Sequence, residues 1–135
     1  MSGMTRNDMK TILLFGIHLA KIDGNFDVWE KKVLARFADA MKLGENEKTD
    51  MVSQEISLSQ GLKRLTTPES RALLLKTLCA VSHSDGEAHP TEVDFIQKVV
   101  EKLDTQVFIL PQSEWGVYEQ EVIDELGDAT QTPLT

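Results

Sequence analysis

Apolar residues fall into two rhythms along this chain, and the pair of rhythms occurs twice. Met9, Ile12, Leu13, Gly16, Ile17 and Ala20 follow helical spacing, while Leu14, Phe15 and Leu19 fill the remaining faces. A helix that is apolar on most sides is a central one. The spacing predicts this helix from an Asn7 N-cap to about Ile22. Trp29, Val33, Leu34, Phe37, Ala38 and Met41 then make a one-sided stripe, which predicts an amphipathic helix ended by Gly44. The order returns later. Thr67-Pro68-Glu69 reads as a cap, a proline at the first helical position and an acid in the first turn. That helix runs to about Ser84 and is apolar on most faces from Ala72 to Val81. Val93, Phe95, Ile96, Val99, Val100 and Leu103 form the second stripe.

The remaining segments are shorter. Met51, Val52, Glu55 and Ile56 predict one small helix, and Leu58, Leu62 and Leu65 another, with Ser57 as its cap. Val107 to Leu110 reads as an extended connector that stops at Pro111. Ser113 is the expected cap of a last helix striped by Trp115, Tyr118, Val122 and Leu126, and Gly127 its expected end. The expectation is an all-α fold of about seven helices in one compact domain. Its core spans about residues 8–126, and 127–135 read as a disordered tail.

The two central helices end in the same motif. Asp23-Gly24 is followed by Glu30, and Asp85-Gly86 by Glu92, each position displaced by 62 residues. Placed without gaps, 12–41 against 74–103 also pairs Leu13 with Leu75 and keeps Val33/Phe95, Leu34/Ile96, Phe37/Val99 and Met41/Leu103 apolar. The chain therefore reads as two pseudo-symmetric helix-loop-helix halves, each burying its apolar face on the other.

Charge narrows the partners. The net charge is −8, but residues 1–110 hold 16 acids against 14 bases, and 111–135 hold six acids and no Lys or Arg. No basic stripe is available for a phosphate backbone, so nucleic acid is not expected as a partner. The single cysteine, Cys79, stands in an apolar run and reads as a small core residue. No apolar run is long enough to span a membrane, and no secretion signal precedes the first helix, so a cytoplasmic protein without membrane insertion is expected.

The two elbows carry the candidate chemistry. Asp, Gly and Glu stand where an EF-hand loop has its fifth, sixth and twelfth places, but the first and third would be Leu19 and Lys21, or Val81 and His83. Those residues cannot supply the missing carboxylates, so this is no EF-hand. Two readings stay open. In one, Glu30 and Glu92 only cap their helices and the aspartates shape the turns. In the other, Asp23, Glu30, Asp85 and Glu92 converge on a hard divalent cation, with Asp27 and Glu87 as peripheral helpers, and the cation relieves their mutual repulsion. His83 and His89 add nitrogen donors to the second elbow alone, where the first has Lys21 and Asp27. Paired carboxylates also serve hydrolases, but no nucleophile, phosphate-binding glycine loop or oxyanion-hole signal accompanies these, and no enzyme is expected.

The stretch Leu62-Lys-Arg-Leu65, Thr67-Pro-Glu69, Arg71-Ala-Leu-Leu-Leu75, Val81-Ser-His-Ser-Asp85-Gly86 and Pro90-Thr-Glu92 resembles the TerB-like family, linked to tellurite resistance. Leu19-Ala-Lys-Ile-Asp23-Gly24 to Glu30 resembles the other half of that family's domain. The resemblance covers roughly 8–104. It implies an all-helical, internally pseudo-symmetric fold and an acidic cluster that binds metal. It further implies a non-catalytic stress-response module with protein partners in membrane-associated complexes. The small residues common before Asp-Gly are replaced here by Ile22 and Ser84. A purely structural interaction module, with the Trp115 stripe as its docking surface, is the alternative.

Overall fold

The helix boundaries follow from how each end satisfies its free backbone groups. The computed structural model describes residues 5–22, 28–54, 57–84, 89–103 and 111–131. Helix α1 is Arg6–Lys21. Its cap is Thr5 rather than Asn7, because Asp8 lies three residues on and closes a reciprocal box. The Asp8 N–H donates to Thr5 Oγ1 and the Thr5 N–H to Asp8 Oδ2, both at 3.1 Å. Asn7 falls inside the helix, where its carbonyl accepts from the Thr11 hydroxyl at 2.9 Å.

Helix α2, Val28–Ala40, ends before Gly44. Lys42 takes the left-handed conformation, with φ at 59°. The Lys42 N–H donates to Asp39 O and the Leu43 N–H to Ala38 O, at 2.9 and 3.1 Å. This is a Schellman stop, and Ala38 and Leu43, the positions of its usual apolar contact, are both buried. Gly44 has a different task. It is the N-cap of α3, Glu45–Ser53, and its N–H donates to Glu47 Oε1 at 3.2 Å.

Helix α4, Leu58–Arg64, starts after Ser57 as expected. Helix α5, Pro68–Ser82, opens on Thr67, whose Oγ1 accepts from the Ser70 N–H at 3.1 Å. Helix α6 is Pro90–Leu103. The connector expected at 107–110 and the residues Glu55 and Ile56 lie outside the described residues. A 3₁₀ turn, Gln112–Val117, precedes α7, Tyr118–Gln131. Ser113 therefore sits within the 3₁₀ turn and caps no α-helix. Gly127 does not end α7, and residues 127–131 are helical rather than part of a disordered tail. One glycine costs a helix only about 1 kcal/mol. The buried Val122 and Leu126 anchor α7 immediately before it. Among the described residues the fold is all-α, with seven α-helices and no strand.

Helices α1 and α5 form the central pair, with α2 and α6 each touching both. Gly16 permits the close approach on α1, since a Cβ there would stand 3.0 Å from Leu34 Cδ2. Phe15, Leu19, Phe37, Leu73, Leu74 and Leu78 are fully enclosed. Helix α7 covers α5 and α2, and the 3₁₀ turn lies on α5. The stripe of Trp115, Tyr118, Val122 and Leu126 is consequently buried and offers no docking surface.

The element bounds carry the sequence displacement. Helices α1 and α5 begin at Arg6 and Pro68, and α2 and α6 at Val28 and Pro90, so both starts differ by 62. The capping threonines, Thr5 and Thr67, differ by the same amount. His18 is exposed and sets its ring 5.2 Å from that of Phe95. The positions displaced by 62 from this pair, Ala80 and Val33, line one small cavity.

Candidate functional site

The elbows are preceded by helix ends that stop without a described glycine. The Ile22 N–H donates to Leu19 O at 3.2 Å, and the His83 N–H to Cys79 O at 3.1 Å. Asp23, Asp27, Asp85 and Glu87 lie outside the described residues. The two glutamates do not. Glu30 sits in the first turn of α2 and Glu92 in the first turn of α6. Both are inside the protein: Glu30 is 4% exposed and Glu92 is 1% exposed.

That burial distinguishes them from ordinary first-turn acids. A carboxylate that merely caps a helix keeps much of its hydration, whereas a buried one must be matched by a proton, a cation or donors. The helix N-terminus supplies part of the compensation at each site. The glutamates head the two helices that flank the central α1–α5 pair. Among the described residues, no three His, Cys, Asp or Glu side chains form a group able to hold a metal ion. Glu30 and Glu92 are buried oxygen donors at matched positions of α2 and α6.

The nitrogen donors are arranged differently. His89 is exposed, and its carbonyl accepts the Val93 N–H at 3.0 Å. His83 is half-buried beside Gly116, where a Cβ would come within 3.4 Å of its Cε1. His83, Ser84 and Glu119 share the small polar cavity lined by Val33 and Ala80. Cys79 is buried, and desolvation pushes its thiol up to about 12, which leaves it without reactive thiolate at neutral pH.

The apolar pattern gave no warning of an open groove. A cavity of about 380 Å³ lies between α1, α2 and α3. Leu13, Ile17, Leu34, Met51 and Val52 form its apolar lining, and Lys31 and Lys48 also border it. Val52 is 46% exposed there. Polar contacts join the buried Met51 in holding α3 at this edge. Glu47 pairs with Lys10 at 2.8 Å and Arg6 at 3.3 Å, and Lys48 pairs with Asp39 at 2.6 Å. The Arg6 guanidinium also donates to Met41 O at 3.2 Å, and the Lys21 ammonium to Val52 O.

An all-helical bundle with two glutamate-headed flanking helices is the class that these observations define. The family model described as tellurite resistance protein TerB matches residues 45–107. The chain is TerB-like over that segment, which runs from α3 through α6 and contains the second elbow. No curated protein and no solved structure matches the chain. Among the described residues, no helix is long and apolar enough to cross a membrane.

Proposed function

We propose that this chain is a non-catalytic TerB-like stress-response module that binds a divalent cation through its elbows and docks protein partners. The observation that carries the reading is the burial of Glu30 and Glu92 at matched places in α2 and α6. Asp23 and Asp85 are the further proposed ligands, with Asp27 and Glu87 in support. The cation would neutralise carboxylates that otherwise repel one another. Its role is structural, locking the two elbows to the central helices. The groove beside α3, with Val52 at its edge, is the surface proposed for a protein partner, such as a component of a membrane-associated complex.

Thermal unfolding of the wild type, Glu30→Ala and Glu92→Ala, in EDTA and in millimolar calcium, magnesium or manganese, tests the cation. A ligand at a hundredfold excess over its Kd stabilises by about 2.7 kcal/mol. The wild type should gain this and the variants should lose it. Without metal, each substitution should cost little, because repulsion is relieved. If no cation moves the wild-type midpoint, the glutamates are buried helix caps, and the chain is an interaction module without metal.

A further inference from the structure

A second cleft, of about 350 Å³, lies where α4, α5 and α6 meet and is lined by Ser59, Leu62, Lys63, Arg71, Lys102 and Leu103. Three of those six side chains are cationic, in a chain whose net charge is −8. Five cations elsewhere in the molecule are neutralised. Arg6, Lys10, Arg36, Lys48 and Lys76 each pair with a carboxylate. Among the described residues, Lys63, Arg71 and Lys102 enter no ion pair. Arg71 is also held in place, because its Nε donates to Leu65 O at 3.0 Å. That bond uses one edge of a planar fork and leaves the terminal nitrogens for a second acceptor. Like charges gathered together repel, and an anion between them removes the cost.

We infer that this cleft binds a phosphate monoester, with the phosphate on Arg71, Lys63 and Lys102 and the carbon part against Leu62 and Leu103. Arginine matches phosphate geometry with paired bonds, and the flanking lysines add charge. The Ser59 hydroxyl is a further donor at the rim. Bare phosphate would leave most of the cleft empty, since its volume falls in the range of small-ligand sites, about 300–1,000 Å³. The anion would lie against the helices matched by the family model, apart from the elbows, so the site stands or falls independently of the cation.

The test titrates phenyl phosphate and inorganic phosphate into the full chain and follows backbone amide shifts by NMR. Shifts at 58–65, 71 and 102–103 are expected, with phenyl phosphate binding more tightly than inorganic phosphate. Lys63→Gln/Lys102→Gln should weaken phenyl phosphate by about tenfold or more, the worth of one charge-assisted hydrogen bond. Both lysines are exposed, so the double variant should fold. Lys98→Gln, on α6 but outside the cleft lining, should bind as the wild type does. Vesicles of phosphatidylcholine carrying phosphatidic acid distinguish the source. Displacement of phenyl phosphate by them assigns a lipid headgroup, and no displacement assigns a soluble ester; both support the site. The proposal is overturned if millimolar phenyl phosphate moves none of these amides, or if the double variant binds it as the wild type does.

Discussion

The pairs α1–α2 and α5–α6 have corresponding starts, corresponding threonine caps and corresponding buried glutamates, yet they are covered differently. Helix α5 is roofed by α7 and by the 3₁₀ turn, whose Trp115, Tyr118, Val122 and Leu126 are all buried. Helix α1 has α3 and α4 as its neighbours, and α3 stands off enough to leave the 380 Å³ groove. Apolar spacing decides which residues become helix. What packs on that helix decides how tightly each position is held. The family model matches only the stretch containing the better-covered pair.

Leu75 and Leu13, displaced by the same 62 residues, make the sharpest test of this difference. Leu75 is 1% exposed within the core, while Leu13, at 4%, borders the groove. Truncating a buried leucine costs about 2–5 kcal/mol, according to how far the site can relax. Leu75→Ala should fall near the top of that range. Leu13→Ala should fall near the bottom, because it enlarges a space already open to water. Urea unfolding of both variants measures the gap. Equal losses would show that the groove is as tightly held as the core.

Much of this arrangement was legible in the chain. The central helices and their amphipathic partners follow from apolar spacing, because burial dominates their placement. The caps were less legible. Asn7 looks like a cap by residue type, yet Thr5 caps α1, and Thr5 and Thr67 are displaced by 62. Gly44 looks like a helix stop by residue type, yet Lys42 takes the left-handed conformation and Leu43 is buried. A tertiary contact there outweighs the local preference for glycine. At the site, position was legible and depth was not. The spacing set Glu30 and Glu92 in first turns, but their burial depends on how the helices pack, which no local pattern records. The cationic cleft was equally hidden, because Lys63, Arg71 and Lys102 come from three helices.

The two capping threonines provide a smaller test. Loss of a Ser or Thr cap costs about 0.5–2 kcal/mol. Thr67 is half-buried, and its backbone N–H and hydroxyl both contact the Ser70 hydroxyl, at 3.3 and 3.0 Å. Thr5 is exposed at the start of the chain's first described helix. Thr67→Ala should therefore lie in the upper half of the range and Thr5→Ala in the lower half, as read from chemical denaturation. The reverse order would mean that α1, not α5, is the helix whose end is coupled to the rest of the fold.

The smallest expected effect concerns the clamp that holds α3. The Lys10 ammonium, together with the Gly44 N–H, draws the Glu47 carboxyl down from 4.5 to about 2. A carboxylate with a depressed folded value contributes stability above its unfolded value and loses it as pH falls through the folded one. The contribution of Glu47 should thus be complete above 4.5 and fade as the pH drops toward 2. Solvent screens these contacts, so the change is local loosening rather than collapse. Amide shifts across α3 and α5, followed from neutral pH down to 2.5 or about that value, would show it. Wild-type α3 should depart from its neutral-pH spectrum before α5 does. Glu47→Gln should start with a looser α3 and lose the additional acid step. If α3 and α5 respond together in the wild type, and the substitution leaves the order unchanged, the Arg6–Lys10–Glu47 contacts do not hold α3, and apolar packing of Met51 must do so.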